Sequence, residues 1–444
     1  MNYQNKAILG GLMGNLVEAY DMSVCYFSAI ELSHFLLGSN KSSATVLLFL
    51  IFIAHLAKPM GAFVLGLLSD LYGRKNVLIG SILIMGISTS LIGLIPTYDR
   101  IGILAAGLFL LLRFIQSAAL GSEFLNSASL LVESGATNKR GFRGCWSSVG
   151  VISGNLLACL VVAFVHYYSS LHPEYENLWR IPFLLIPFTT AVGFYIRNKM
   201  PESLSYVLYY ANQKKPSTAA IYQQSLAFIK KHPFMLYFTF FSSLLTVSIS
   251  FFFYLYIPLH ALEFAQISHS YIIAANVLSL LCVGILTPIF GWISDKNDRL
   301  TMLSYASAGL LILAYPYMYA INFGNAASFT LMQVLISIPT ACYFSVSTVL
   351  LTELYPLQIR CTTLSLVYSV AASLAAGLPP LISDYLVHHT NMPCSPSLII
   401  IVLSIIVLLN VQVLRVRYRS GLNEYRVTIT EQDAPIFTIQ YHKP

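Results

Sequence analysis

Charge is what this sequence has least of. Of its 444 residues only 10% are Asp, Glu, Lys or Arg, against 57% hydrophobic, where a soluble domain carries about 25% charged residues. So few charges cannot clothe a chain of this size in water, which excludes an ordinary soluble enzyme or signalling domain. Other absences narrow the function. There is no Gly-x-x-x-x-Gly-Lys-Ser/Thr phosphate loop, so ATP hydrolysis is not the expected energy source. No CxxC pair occurs. Of the seven cysteines, Cys25, Cys145, Cys159, Cys282, Cys342 and Cys361 fall in apolar stretches and only Cys394 looks external. They read as small buried hydrophobes, and neither a metal nor a cofactor is expected. The net charge of +7 is not gathered into a basic stripe interleaved with aromatics, so no nucleic-acid partner is expected.

What is present is long apolar segments. About twelve are long enough for a spanning helix, which needs about 20 apolar residues. They lie near 8–37, 44–70, 76–95, 101–133, 140–168, 179–199, 232–262, 268–295, 299–320, 326–354, 360–389 and 397–416. The runs are too long for β-barrel strands. The first carries Glu18 and Asp21 and reads as a span, not a cleavable leader. Lys and Arg crowd one set of connections (Arg74, Lys75, Lys139, Arg140, Arg143, Arg197, Lys199), while Lys41, Arg100 and Arg180 fall on the other. The bias puts both termini in the cytoplasm of a multi-pass inner-membrane protein.

One phrase occurs twice. Gly66-Leu67-Leu68-Ser69-Asp70-Leu71-Tyr72-Gly73-Arg74-Lys75 returns as Gly291-Trp292-Ile293-Ser294-Asp295-Lys296-Asn297-Asp298-Arg299, 225 residues later (295 − 70 = 225). A second match sets Glu133 against Glu353 and Arg140 against Arg360 (353 − 133 = 360 − 140 = 220). Duplication of half a membrane chain marks a two-fold transporter. The predicted fold is all-α, with twelve transmembrane helices in two pseudo-symmetric six-helix bundles. The predicted division is 1–200, a cytoplasmic linker 201–231, 232–416 and a cytoplasmic tail 417–444.

The repeated phrase closes a span on the basic side. Gly66 permits close helix approach, and Asp70 suits a neighbouring helix N-terminus. Gly73 frees the turn, Arg74 anchors it, and Glu133 is a partner for Arg74 or Arg140. Asp295, Arg299, Glu353 and Arg360 repeat this set. Such a cluster either gates one face or only anchors topology.

These motifs resemble the major facilitator superfamily, whose hallmark is Gly-x-x-x-Asp-x-x-Gly-Arg-Lys between spans two and three; Asp298 departs from it in the second copy. Gly14-Asn15-Leu16-Val17-Glu18-Ala19-Tyr20-Asp21, Arg113-Phe114-Ile115-Gln116-Ser117 with Gly121-Ser122-Glu123, and Trp179-Arg180-Ile181-Pro182-Phe183 are similar to its metabolite–proton symporters. That branch includes proline/betaine, α-ketoglutarate, citrate and shikimate carriers.

Ionisable groups in lipid cost about 2.5–3.5 kcal/mol each, so those that persist are candidates for function. Glu18 and Asp21 share one helix face and, with Glu123, are the proton-coupling candidates. Arg113, Lys58 and Arg180 are the cationic candidates for substrate; Arg113 serves either a substrate carboxylate or Glu18/Asp21. Glu123 lies about 15 Å along the helix from Arg113, too far to pair with it. Tyr20, Tyr254, Tyr256 and Tyr368 could box a quaternary ammonium or serve as core packing. The expected function is proton-coupled uptake of a small polar metabolite, either a zwitterionic osmolyte or a di/tricarboxylate, by a monomer. Proton-driven efflux and a transporter-like receptor are the alternatives.

Overall fold

The computed structural model describes residues 3–38, 44–134, 137–172, 178–211, 215–263, 267–390 and 392–419. The tail from residue 420 lies outside them. Among the described residues the regular structure is helical throughout. Eleven helices are long and apolar enough to cross a bilayer: α2 Phe49–Tyr72, α3 Arg74–Ile92, α4 Leu104–Glu133, α5 Arg140–Leu171, α6 Leu178–Asn198, α7 Pro233–Leu262, α8 Ser270–Ser294, α9 Arg299–Phe323, α10 Ala326–Glu353, α11 Arg360–Val387 and α12 Ser397–Val416. A further helix, α1 Tyr3–Phe27, has 25 residues, or about 37 Å at 1.5 Å per residue. It is less apolar because it carries Asn15, Glu18, Asp21 and Ser23, all of them buried. The first predicted segment, 8–37, is therefore two helices: α1, and a short one over Ala29–Leu37.

Apolar side chains such as Ile87, Phe164, Phe188, Ile285 and Ile312 stay exposed, which is where lipid replaces water as solvent. The two halves join along two seams. α2 packs on α11, and α8 packs on α5. The duplication equates α2 with α8 and α5 with α11, so the seams are copies of one another. Helices Leu204–Tyr210 and Thr218–Lys231 lie between α6 and α7.

One local break matters for the site. α2 is interrupted by a turn at Leu56 and Ala57. Pro59 has no N–H to give the carbonyl of His55 four residues back. That carbonyl instead accepts the Ser373 hydroxyl of α11 at 2.6 Å. Lys58 stands at the first position after the break.

Candidate functional site

Between the halves lies a cavity holding about 740 Å³ of empty space, its mouth included. α1 lends it Glu18 and Ser23, α2 Lys58, α5 Ser148 and Asn155, and α7 Thr246 and Ser250. Phe124, Phe251, Phe344 and Tyr368 supply an aromatic wall, with Phe124 stacked on Tyr368 at 5.4 Å. Ser23 donates to Asn155 Oδ1 at 2.7 Å, tying α1 to α5. Glu18 and Lys58 both line this space. The Glu18 Oε2 atom is buried and accepts no hydrogen bond.

Asp21 and Arg113 are fully buried and do not line this space. Arg113 Nη1 donates to Gln116 Oε1 at 2.5 Å. The Gln116 amide in turn donates to Asp21 Oδ2 and, at 2.9 Å, to Thr89 Oγ1. Arg113 therefore reaches Asp21 through an amide, not by a direct ion pair. Gln116, three residues from Arg113, was visible in the motif but its bridging place was not. Glu123 is likewise away from the cavity lining; it pairs with Arg197 of α6 and accepts from Ser81 of α3. Arg197, read from the sequence only as a topology marker, is fully buried there.

Arg180 donates to the carbonyls of Gly93 at 2.6 Å and Ile95 at 2.8 Å, just past the end of α3, with its guanidinium 4.4 Å above the Trp179 ring. A cation suits that helix end. The Tyr20 hydroxyl donates to Pro182 O at 2.9 Å. Of the four tyrosines considered for an ammonium box, Tyr368 alone is among the lining residues. The structure thus sets Glu18 and Lys58 together at the cavity, and sets Asp21, Glu123, Arg113, Arg180 and Tyr20 off it. Ser148, Asn155 and Thr246 gave no sequence signal, since a lone polar residue in an apolar span equally satisfies a backbone carbonyl.

The duplicated phrase builds two locks on the basic side. Asp70 accepts from the N–H groups of Cys361 (3.2 Å) and Thr362 (2.8 Å) and from the Thr362 hydroxyl (2.7 Å), at the N-terminus of α11. Arg74 lies 3.5 Å from Asp70 and 3.4 Å from Glu133, and Arg360 lies 2.6 Å from Glu133. In the second copy Asp295 accepts from Gly141 N (2.6 Å) and Phe142 N (2.9 Å), at the N-terminus of α5. Arg299 meets Glu353 at 2.6 Å and Asp295 at 3.4 Å, and Arg140 meets Glu353 at 3.8 Å. Glu133 thus takes Arg74, as expected, and adds Arg360 from the other half; Arg140 goes to Glu353. Each lock draws its acids from one half and its helix N-terminus and second arginine from the other.

The locks are unequal. Arg74 is fully buried, whereas the Arg299 side chain is 19% exposed. The turns differ too. Gly73 adopts φ +101°, which favours glycine, and Glu202 caps the following helix by accepting from Arg74 N (3.0 Å) and Lys75 N (3.1 Å). Asp298 needs no such helper, because it caps α9 itself by accepting from Thr301 N at 2.9 Å.

A Cβ at Gly66 would collide with the Cys361 carbonyl and Thr362 Cα. Gly66→Leu should therefore wedge α2 off α11. Overpacking costs about 1–3 kcal/mol, so the Tm of purified protein should fall by about 1–3 °C. An unchanged Tm would mean that this contact is slack.

Residues 7–232 match the family described as sugar (and other) transporter, and residues 266–427 match the major facilitator superfamily. The chain is 28% identical over 417 residues to the ectoine/proline transporter ProP of Corynebacterium glutamicum, spanning 90% of this chain and 82% of that one. It is 28% identical to the proline/betaine transporter of Escherichia coli K12, spanning 90% and 81%. To the glycine betaine/proline/ectoine/pipecolic acid transporter OusA of Dickeya dadantii it is 29% identical, spanning 91% and 82%. Its fold matches the proton:xylose symporter XylE bound to 6-bromo-6-deoxy-D-glucose, with a TM-score of 0.73 at 17% identity over 93% of this chain and 95% of that one.

Proposed function

The chain belongs to the sugar (and other) transporter family of the major facilitator superfamily, a multi-pass membrane transporter and not an enzyme, and from that premise we propose proton-coupled uptake of a zwitterionic osmolyte of the proline/betaine type. The observation that carries this reading is the charge balance of the central cavity. Its lining holds one carboxylate, Glu18, and one ammonium, Lys58, before an aromatic wall. A zwitterion has the matching pair: a carboxylate for Lys58 and an onium group for the faces of Phe124, Phe251, Phe344 and Tyr368. A di- or tricarboxylate needs a surplus of cations, and neither Arg113 nor Arg180 is among the lining residues. The relatives named above are described by zwitterionic substrates.

The same pair supplies the coupling. With Glu18 ionised, its negative charge offsets the positive charge of Lys58 in the same cavity. A proton on Glu18 removes that offset and leaves Lys58 to the substrate carboxylate, so each ligand favours the other. Asp21, behind Glu18 and tied through Gln116 to Arg113, is the second proton-binding candidate. We assign the basic side to the cytoplasm of the inner membrane, with both termini there. The halves 1–200 and 232–416 then rock about the cavity, joined by the linker 201–231, and the locks close the cytoplasmic face while the substrate enters from outside.

The test is uptake of labelled glycine betaine, proline and citrate into proteoliposomes that are acidic outside. Accumulation of glycine betaine or proline, but not citrate, is expected. Lys58→Met should raise the KM at least about tenfold, since a hydrogen bond to a charged group is worth about 1.5–3 kcal/mol. Citrate accumulation without osmolyte uptake, or an unmoved KM, would overturn the reading.

A further inference from the structure

A second cavity lies on the side away from the locks, between the far end of α1, the helix Ala29–Leu37, α5, α7 and α8, and holds about 1030 Å³ of empty space. It meets the central cavity at Leu255, which lines both. Leu255 sits in a π-helical turn, Phe252–Tyr256, inside α7. Beside it the Tyr26 and Phe251 rings meet edge-on at 5.0 Å, and the Tyr26 hydroxyl reaches Ala376 O across the halves at 3.2 Å. Tyr26, Phe251 and Leu255 thus belong to the partition between the two spaces.

The chemistry of the outer cavity differs from that of the inner. No Lys or Arg is among its lining residues, and its carboxylate is Glu31, near the mouth. Glu31 is 35% exposed, with His166 Nδ1 3.3 Å from its Oε1. Deeper in, Asn276 is almost wholly buried, at 2% exposure. Its amide nitrogen is committed to Tyr254 O at 3.3 Å, which fixes the amide and leaves Oδ1 buried with no donor. Tyr26 and Phe27 add ring faces. A carboxylate, an orphaned carbonyl oxygen and two aromatic rings all favour a cation, and the one basic side chain among the lining residues, the imidazole of His166, stands against Glu31.

We propose that this outer cavity is a separate binding site for an onium group, which holds the cationic end of the zwitterionic substrate at Glu31, Asn276 and the Tyr26 and Phe27 rings before the substrate passes Leu255. The proposal rests on the zwitterion reading above and adds an order of events. With the onium group held outside, the carboxylate points inward, toward the partition and Lys58 beyond it. An organic anion lacking a positive charge gains nothing at this station, so discrimination begins before the central cavity.

The probe is tetramethylammonium, an onium with no carboxylate, titrated calorimetrically into the purified full chain. Saturable binding is expected. Glu31→Gln should weaken it about fivefold, the most that a partly exposed charge contact is worth. Glu31→Asp, which keeps the charge, should retain most of it. In transport, Glu31→Gln should raise the KM for glycine betaine by a similar factor with Vmax unmoved. Absence of saturable binding overturns the proposal. So does binding that survives Glu31→Gln but is altered by Glu18→Gln, which would put the cation in the central cavity. Glu31-dependent binding in a protein that transports neither glycine betaine nor proline upholds the outer site while the proposed function fails, so the two failures are separable.

Discussion

Accumulation driven by a pH gradient is expected to fall about a hundredfold in the double variant Glu18→Gln/Asp21→Asn. The two carboxylates are buried in α1. A carrier left without a group to carry the proton can only equilibrate its substrate. At one proton per substrate, a pH gradient of about 2 units, or about 2.8 kcal/mol at about 1.4 kcal/mol per tenfold, supports about hundredfold accumulation, which is what should be lost. The single variants should differ. Glu18, like Lys58, lines the cavity, so Glu18→Gln should leave substrate exchange across the membrane but uncouple it from pH. Asp21→Asn should do less, because an asparagine oxygen can still accept from the Gln116 amide that now donates to Asp21. Labelled glycine betaine uptake with and without the gradient, together with counterflow, separates these effects. Gradient-driven accumulation persisting in the double variant would end the proton assignment.

Asp70→Asn is expected to open the basic side. Asp70 holds three donors of α11 and stands beside the fully buried Arg74. Breaking a buried charge network by removing one member costs about 3–5 kcal/mol, enough to shift an equilibrium between shut and open forms by at least about a hundredfold. A native reporter lies at the contact: Cys361, 1% exposed, is the second residue of α11. In a chain whose other six cysteines are replaced, alkylation of Cys361 should accelerate by about that factor in Asp70→Asn. Asp295→Asn should have a smaller effect, about fivefold, because Arg299 and Glu353 are partly solvated and such pairs are worth about 1 kcal/mol or less. Equal acceleration by the two variants would mean that the locks are equivalent.

The locks were legible because charges are loud in an apolar chain. Asp70 at a helix N-terminus followed from the phrase alone. The exchange of partners, Glu133 with Arg360 and Arg140 with Glu353, did not, because spacing within one half says nothing of its register against the other. The cavity was harder. Arg113 and Lys58 look alike as cations in spans, and what sets Lys58 apart is its place at the break before Pro59, on the cavity lining. Arg180 illustrates the reverse: a cation in a matching motif whose guanidinium serves carbonyls past the end of α3. The short hinge at Ser28 was hidden because the residues on both sides of it are apolar enough to read as one span.

The crossing of the locks has an electrical consequence. Within the first half, Asp70 and Glu133 are offset by Arg74 and Arg140; within the second, Asp295 and Glu353 are offset by Arg299 and Arg360. When the halves part on the basic side, each carries away two acids and two bases. Prising the locks open therefore transfers no net charge across the membrane field, although moving a single charge through 100 mV is worth about 2.3 kcal/mol. Locks that serve as the proposed gate would thus be blind to voltage. On the proposed cycle the central cavity does bring a dependence on membrane potential, because a proton travels with a neutral zwitterion and the loaded carrier is one positive charge richer than the empty one.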